Sequence, residues 1–279
     1  MPDALRTHAV TVAGVRSPVA ERGPADATEA VVFVHGNPGS GEDWAGLQSG
    51  LPDGVRAIAP DMPGFGSADA PDDFPYTVDG YATHLGGLLD ELGIERAHLV
   101  LHDFGGPWGL AWAAHHPERV ASIVLVNTGS LVDYRWHHFA KVWRTPVVGE
   151  VFMALSFRPV LVRALGIENP RLRPDDLRRV AGQLTKAGTK RAVLRLYRAT
   201  DPDDMAAERE ALRSVDAPVL VVWGTGDRYI PLVQAVRQRR TFPQARIETL
   251  HDLGHWAFLE EPGLVAGLIH PFLAEHVSP

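Results

Sequence analysis

Short apolar runs rich in β-branched residues alternate along this chain with longer segments whose apolar positions recur at helical spacing. This alternation is typical of a mostly parallel sheet with helices on both faces. Several of the short runs are continuously apolar, as expected for strands buried on both sides. The predicted strands are 30–34, 55–59, 98–101, 122–126, 218–223 and 246–250, preceded by a strand or hairpin near 8–15. The predicted helices are 78–92, 107–115, 232–239 and 264–276.

The alternation stops between residues 130 and 213, where helix-forming residues are interrupted by prolines and no buried strand is evident. We therefore predict a core made of residues 1–129 and 214–279, with residues 130–213 inserted as a helical cap. Within the insertion, residues 156–213 carry 13 Lys and Arg against 8 Asp and Glu. A solvated basic helix face explains this bias more simply than steering of an anionic substrate.

Composition narrows the class of protein. The 279 residues are 45% hydrophobic and 22% charged, which fits one large globular domain or a core with an insertion. The net charge of −7 argues against a general nucleic-acid binder, and the lack of cysteine excludes disulfides and thiol nucleophiles. No apolar run approaches the roughly 20 residues of a membrane span. Asp3, Arg6 and His8 lie where an export signal would need a continuous apolar stretch. We expect a cytoplasmic enzyme.

A nucleophile elbow is indicated by the segment 99–106, Leu-Val-Leu-His-Asp-Phe-Gly-Gly, which joins a predicted strand to a predicted helix. A strand, a sharp turn and a helix present the apex residue at the edge of the sheet. Gly105 and Gly106 remove the Cβ atoms that would clash where strand and helix meet. The apex is usually serine, and here it is Asp103.

Two later motifs supply an acid and a base. Asp227 follows the strand 218–223, and His255 lies 28 positions further on. The chain order of nucleophile, acid and histidine matches that of the nucleophile-elbow hydrolases. A third signal is the turn 35–38, His-Gly-Asn-Pro, directly after the strand 30–34.

Together these motifs resemble the α/β-hydrolase superfamily, and more narrowly its aspartate-nucleophile branch, the epoxide hydrolases and haloalkane dehalogenases. The resemblance covers nearly the whole chain, including the segment 61–67 after the strand 55–59. It implies an α/β-hydrolase fold with an inserted helical cap, and an enzyme without metal or cofactor. Leu101 departs from the family pattern, which prefers a small residue at this position of the elbow.

The resemblance also implies a mechanism. Asp103, ionised at neutral pH, attacks an sp³ carbon and forms an alkyl ester. His255, oriented by Asp227, then activates the water that cleaves the ester. The backbone N–H groups of Asn37 and Phe104 form the oxyanion hole by analogy with the family.

The leaving group separates two candidate activities. For epoxide opening, Tyr197 is the first candidate acid and Tyr134 the second. For dehalogenation, the Asn37 side chain is a candidate halide donor, but Phe104 offers none where dehalogenases typically carry tryptophan. We favour epoxide hydrolysis to a vicinal diol over haloalkane dehalogenation. A non-catalytic ligand-binding protein on the same fold and an esterase are further alternatives.

The predicted substrate is a small apolar or amphipathic organic molecule, with water as the second reactant. Asn37, Phe104, Trp108 and Trp136 are its candidate contacts, although the aromatic residues also suit a core. The adjacent pair His137-His138 points to different faces of a helix, which favours packing over metal binding. No nucleic acid, membrane, metal or nucleotide partner is indicated.

Overall fold

A computed structural model describes residues 4–277 of the chain. The core of the molecule is built around one eight-stranded sheet. The strand order is β1-β2-β4-β3-β5-β6-β7-β8. The pairs β1·β2 and β2·β4 are antiparallel, and all the other pairs are parallel. The strands are β1 Arg6–Val12, β2 Val15–Arg22, β3 Glu29–Val34, β4 Ala57–Pro60, β5 Arg96–His102, β6 Val120–Val126, β7 Val219–Gly224 and β8 Arg246–Leu250.

The inner strands β3 to β7 are buried almost along their whole length. Such strands need helices on both faces, which accounts for the continuously apolar runs of the sequence. The core helices are α1 Ala45–Ser49, α2 Val78–Glu91, α3 Gly105–His115, α10 Val233–Arg237, α11 Ala257–Glu260 and α12 Pro262–Ala274. Helix α2 packs on α3, and α1 contacts α12. The predicted fold class, a mostly parallel sheet between helical layers, is confirmed.

All the regular secondary structure between β6 and β7 is helical. Its helices are α4 His138–Arg144, α5 Val148–Leu155, α6 Arg158–Glu168, α7 Pro174–Gln183, α8 Ala187–Ala199 and α9 Arg209–Leu212. We call residues 130–213 the helical segment. Helices α4, α5 and α8 pack together, and α6 packs on α7.

Charge links the helical segment to the rest of the chain. Arg179 forms an ion pair with Asp43, and Arg195 pairs with Asp72 at 2.8 Å. Both acids belong to the acidic remainder of the molecule, so part of the basic bias of the segment pairs with that remainder. The Arg179–Asp43 pair is mostly buried, whereas the Arg195–Asp72 pair is exposed. Among residues 4–277, no helix combines the length and apolar character needed to cross a membrane.

Candidate active site

Asp103 stands at the sharp turn between β5 and α3, with a φ of +49°. This left-handed conformation is uncommon for a non-glycine residue and directs the side chain away from the strand. A Cβ on Gly36 would lie 2.3 Å from the Cβ of Asp103, and one on Gly105 would lie 2.3 Å from the carbonyl oxygen of Val34. Both positions therefore require glycine, as the elbow pattern predicts for Gly105.

Leu101, which departs from the small residue of the family pattern, is accommodated by a second glycine. A Cβ on Gly109 of α3 would lie only 2.5 Å from the Cδ2 atom of Leu101. The larger strand residue thus fills the space that the helix leaves free, and the elbow keeps its geometry.

Three predicted side chains meet above this turn. His255 places Nε2 at 3.4 Å from Asp103 Oδ2 and Nδ1 at 2.8 Å from Asp227 Oδ2. Asp227 Oδ1 also accepts hydrogen bonds from the backbone N–H groups of Tyr229 at 2.7 Å and Ile230 at 2.9 Å. These bonds fix the carboxylate that orients the imidazole.

A fourth residue, Asn127, completes the support of Asp227 and was not predicted. Its Nδ2 atom donates to Asp227 Oδ2 at 2.8 Å, while its Oδ1 atom accepts from the N–H of Gly224 at 3.1 Å. Asn127 directly follows β6, at the edge where the parallel strands end. A polar residue at that position was the available sequence signal.

The charges of the site stabilise one another. Burial alone raises the pKa of Asp103, but the hydrogen bond and charge of His255 outweigh it and hold this pKa at about 2. Burial lowers the pKa of His255, yet Asp227 and Asp103 overcome that effect and raise it to about 10. In the free protein, an imidazolium therefore lies between two carboxylates.

The His-Gly-Asn-Pro turn touches the same carboxylate. The backbone N–H of Asn37 donates to Asp103 Oδ1 at 2.6 Å, in the position predicted for an oxyanion donor. His35 holds the turn in place, because its Nδ1–H donates to the Gly36 carbonyl and its Nε2 accepts from the N–H of Met62. This second bond joins the turn to the 61–67 segment.

A cavity of about 230 Å³ opens beside Asp103 and His255, between the sheet edge and the helical segment. Its walls are mainly apolar, with side chains of the helical segment on one side. The apolar lining includes Phe139, Trp143, Phe152, Leu155, Val160, Leu161, Leu165, Leu184 and Trp256. Its other polar lining side chains are Asn37, His137, Ser156, Tyr197 and Tyr229.

Tyr197 is buried in this lining, and its hydroxyl is surrounded by donors. Asn37 Nδ2 lies 3.3 Å from the phenolic oxygen, and His137 Nε2 lies 3.4 Å away. The Nδ1 atom of His137 accepts from the N–H of Ala140 at 3.3 Å, so the proton of the neutral imidazole sits on Nε2. Two donors thus occupy the lone pairs of the Tyr197 oxygen, and its own proton is left to donate. Burial and the nearby Asp103 charge raise the pKa of Tyr197 well above 10.

His137 is therefore not a simple packing residue, contrary to the prediction for the 137–138 pair. It is the N-cap residue of α4, where extended backbone turns its ring toward Tyr197. His138 starts the helix and is exposed. Burial lowers the pKa of His137 to about 4, which keeps the ring neutral.

Two predicted site residues lie elsewhere. The Tyr134 hydroxyl donates to the backbone carbonyl of Tyr229 at 3.1 Å, so it is committed to the fold and is not a free acid. Trp108 does not line the main cavity. Its ring stacks on Tyr81 in the core at 4.0 Å, because α3 turns this side chain toward α2. The prediction of Trp108 as a substrate contact is wrong.

Phe104 and Trp136 occupy an intermediate position. Their rings stack at 6.2 Å and line a very small second cavity, which also borders Asp103 and Tyr197. They are neighbours of the Asp103 carboxylate rather than walls of the main cavity.

Comparisons with known proteins agree with this architecture. A family model described as alpha/beta hydrolase fold matches residues 29–262. A 2-hydroxymuconate semialdehyde hydrolase from Pseudomonas putida is 30% identical over 229 residues, which are 79% of this chain and 77% of that protein. The haloalkane dehalogenase DatA from Agrobacterium tumefaciens C58 superposes with a TM-score of 0.83 at 24% identity, covering 98% of both chains. The epoxide hydrolase VrEH1 from Vigna radiata gives a TM-score of 0.79 at 21% identity, covering 97% of this chain and 98% of the other.

Proposed function

The chain belongs to the α/β-hydrolase fold family, and from the chemistry of its site we propose that it is an epoxide hydrolase. Asp103 is the nucleophile, His255 and Asp227 are the base and its orienting acid, and the helical segment serves as a cap over the cavity. The single observation that carries this proposal is the Tyr197 hydroxyl, which faces the nucleophile's cavity with its proton free to donate.

In the first step, Asp103 attacks an epoxide carbon, forming an ester bond as the ring C–O bond breaks. The developing alkoxide takes the hydroxyl proton of Tyr197. Asn37 and His137, both donating to the Tyr197 oxygen, stabilise the negative charge that this transfer places on the phenol. Once Asp103 is an ester, it no longer holds a charge beside His255. The imidazolium then loses its proton, which returns Tyr197 to its neutral form.

In the second step, neutral His255 removes a proton from water, and the hydroxide attacks the carbonyl carbon of the ester. The negative charge forms on the Asp103 oxygen that the Asn37 N–H already contacts. Collapse breaks the bond between the carbonyl carbon and the substrate oxygen, which takes the proton of the added hydroxide, and a vicinal diol is released. Asp103 is again a carboxylate and His255 an imidazolium, so the resting ion pair is restored.

Haloalkane dehalogenation is the second candidate. The Nε1 atoms of Trp136 and Trp143 are buried without a hydrogen-bond partner among the described residues, so an indole N–H remains available for a halide. The Asn37 amide, however, is turned to Tyr197, and Phe104 brings no donor next to Asp103. Halide release needs donors without an acid, whereas the Tyr197 arrangement supplies an acid.

The activity named for the Pseudomonas relative is less compatible with this site. A carboxylate that attacks a carbonyl carbon forms an anhydride, which is a labile intermediate. A carboxylate that attacks an sp³ carbon forms an ester, which is stable until an activated water cleaves it. Asp103 is thus better suited to alkyl transfer than to acyl transfer.

The test uses His255→Gln, which should stop the second step and trap the ester. Intact-mass measurement after exposure to a panel of epoxides should show an adduct equal to the whole epoxide. A haloalkane panel should give no adduct; an adduct equal to the haloalkane minus the hydrogen halide would establish the second candidate. The double variant Asp103→Asn with His255→Gln is the matched control and should stay unmodified. Absence of any adduct, with the fold intact by circular dichroism, would overturn both candidates.

A further inference from the structure

The cavity contains a second tyrosine hydroxyl that the mechanism above does not use. Tyr229 follows Asp227 by two residues, and its ring meets the His255 ring edge-on at 5.0 Å. Tyr229 lines the same cavity as Asp103 and is only 8% exposed. Its hydroxyl reaches from the sheet edge to the helical segment.

The direction of the Tyr229 hydroxyl bond is fixed by Asn169. Asn169 Nδ2 lies 3.1 Å from the carbonyl oxygen of Leu165 and 3.1 Å from the Tyr229 hydroxyl. Because a carbonyl oxygen only accepts, the atom facing Leu165 must be the amide nitrogen. Both amide protons are then used, and the Tyr229 oxygen is an acceptor. Its own proton has no acceptor among residues 4–277.

Tyr229 and Tyr197 serve different parts of the cavity. His137 lies between them, with ring centroids 5.3 Å from Tyr229 and 6.0 Å from Tyr197. Tyr197 packs against Phe104, Trp136 and Trp143, whereas Tyr229 packs against His255 and Trp256. The two hydroxyls are thus held by separate partners, Tyr197 by Asn37 and His137 and Tyr229 by Asn169.

A donor with a free proton in a mostly apolar wall favours a ligand that offers an acceptor there. A purely hydrocarbon substrate would leave this proton unpaired in a filled, water-free cavity, which disfavours its binding. A few placed polar groups in an apolar cavity are also what orient small ligands.

We propose that Tyr229 donates a hydrogen bond to an oxygen of the substrate that is separate from the epoxide ring. The proposal rests on the proposed function and deepens it: the preferred substrates are epoxides that carry an ether, hydroxyl or carbonyl oxygen on an otherwise apolar chain.

The test compares a straight-chain terminal epoxide with the ethers obtained by replacing one CH₂ at successive positions by oxygen. The ethers are isomers of one another with nearly the same size and polarity, so they differ in where the acceptor lies, and the hydrocarbon gives the baseline without an acceptor. For the unmodified protein, one position of the oxygen should lower KM relative to the other ethers by roughly five- to tenfold, an ether preference equal to the effect of one hydrogen bond. In Tyr229→Phe, this ratio should fall to about one.

A second variant separates the free proton from the mere presence of the ring. Asn169→Asp keeps the side-chain volume but places an accepting oxygen beside the Tyr229 hydroxyl. The proton of Tyr229 is then drawn to residue 169, and the ether preference should disappear although the tyrosine remains. Tyr76→Phe, which removes a hydroxyl that donates to the backbone carbonyl of Pro71 away from the cavity, is the control and should keep the ether preference.

The outcomes distinguish failure of the Tyr229 subsite from failure of the proposed epoxide hydrolysis. If the unmodified protein turns over all the isomeric ethers with equal KM, the Tyr229 subsite is refuted while epoxide hydrolysis stands. If Tyr229→Phe lowers kcat equally for every compound, or accumulates the ester with all of them, the residue acts on the ring or on the water, and the subsite is again refuted. If none of the compounds is hydrolysed, the proposed function itself fails.

Discussion

At the scale of single residues, the hydrogen-bond role of a hydroxyl distinguishes otherwise similar tyrosines. The Tyr197 oxygen accepts two hydrogen bonds, and its own hydroxyl proton remains free to donate. The Tyr134 hydroxyl already donates a hydrogen bond to a backbone carbonyl. Both are buried, and both were candidate acids from the sequence. The number of donors and acceptors around each oxygen therefore distinguishes the two tyrosines, which burial does not.

This difference predicts unequal effects of removing each hydroxyl. Tyr197→Phe should lower kcat for epoxide hydrolysis by about 10²-fold or more, the usual contribution of a positioned general acid. Tyr134→Phe should lower it by less than about tenfold, since only a structural hydrogen bond is lost. Single-turnover ester formation, followed by mass spectrometry, is the measurement, because it isolates ring opening from hydrolysis. Equal losses in the two variants would contradict the assignment of Tyr197 as the acid.

The sequence could predict those site residues whose positions are fixed by local motifs. Asp103 is set by a strand-turn-helix of contiguous residues, and Asp227 and His255 follow strand ends in a known chain order. His137, Asn127 and Tyr229 depend on which side chains meet across different elements. Their partners lie tens of residues away along the chain, and no short motif encodes them. The same holds for Tyr134, whose hydroxyl found a backbone acceptor that the sequence does not reveal.

At the scale of elements, the elbow depends on the close contact between β5 and α3. The parallel strands were predictable because continuous burial leaves a continuous apolar run. The short helices of the 130–213 segment were not predicted individually, since several are only partly buried and their ends are set by tertiary contacts. The fit of the large Leu101 side chain against Gly109 also depends on tertiary structure, because neither residue alone predicts the other.

The contact between Leu101 and Gly109 predicts that the effect of Gly109→Ala on the free energy of unfolding changes sign when Leu101 is replaced by alanine. Gly109→Ala in the natural chain should lower the free energy of unfolding by about 1–2 kcal/mol, because its Cβ collides with buried Leu101. In a Leu101→Ala background, the collision is gone and the same substitution should raise stability by up to about 1 kcal/mol, the helix propensity gained over glycine. Urea unfolding of the four proteins measures both values. Destabilisation of similar size in both backgrounds would show that something other than Leu101 requires the glycine.

At the scale of the whole molecule, some buried histidines have a lowered pKa and another has a raised pKa, and both make the free energy of unfolding depend on pH. Burial lowers the pKa of His84 to about 4, and its Nε2 atom is hydrogen-bonded with Ser17 Oγ at 2.9 Å. Burial and the charge of His255 lower the pKa of His102 to about 3. His255 itself is the exception: burial would lower its pKa, but Asp227 and Asp103 raise it to about 10.

The direction of each effect follows from proton uptake, with about 6.5 as the pKa of histidine in the unfolded chain. Below that pH the unfolded chain binds protons that folded His84 and His102 do not, so their contribution is lost as pH falls toward about 4 and 3. Above it, folded His255 keeps a proton that the unfolded chain releases, so its contribution is lost as pH rises toward about 10. Each group changes the free energy of unfolding by at most about 1.4 kcal/mol per pH unit.

We therefore expect these histidines to give an acid and an alkaline decline in stability, each sensitive to a different variant. Urea unfolding at about pH 5, 7 and 9 should show that His84→Gln loses up to about 1.4 kcal/mol per pH unit of the parent's acid slope between pH 7 and 5. His255→Gln should instead flatten the alkaline slope between pH 7 and 9. His115→Gln, which removes a histidine exposed on α3, is the control. An unchanged alkaline slope in His255→Gln would mean that no imidazolium rests between Asp103 and Asp227, and the proton return from His255 to Tyr197 in the first step would fail with it.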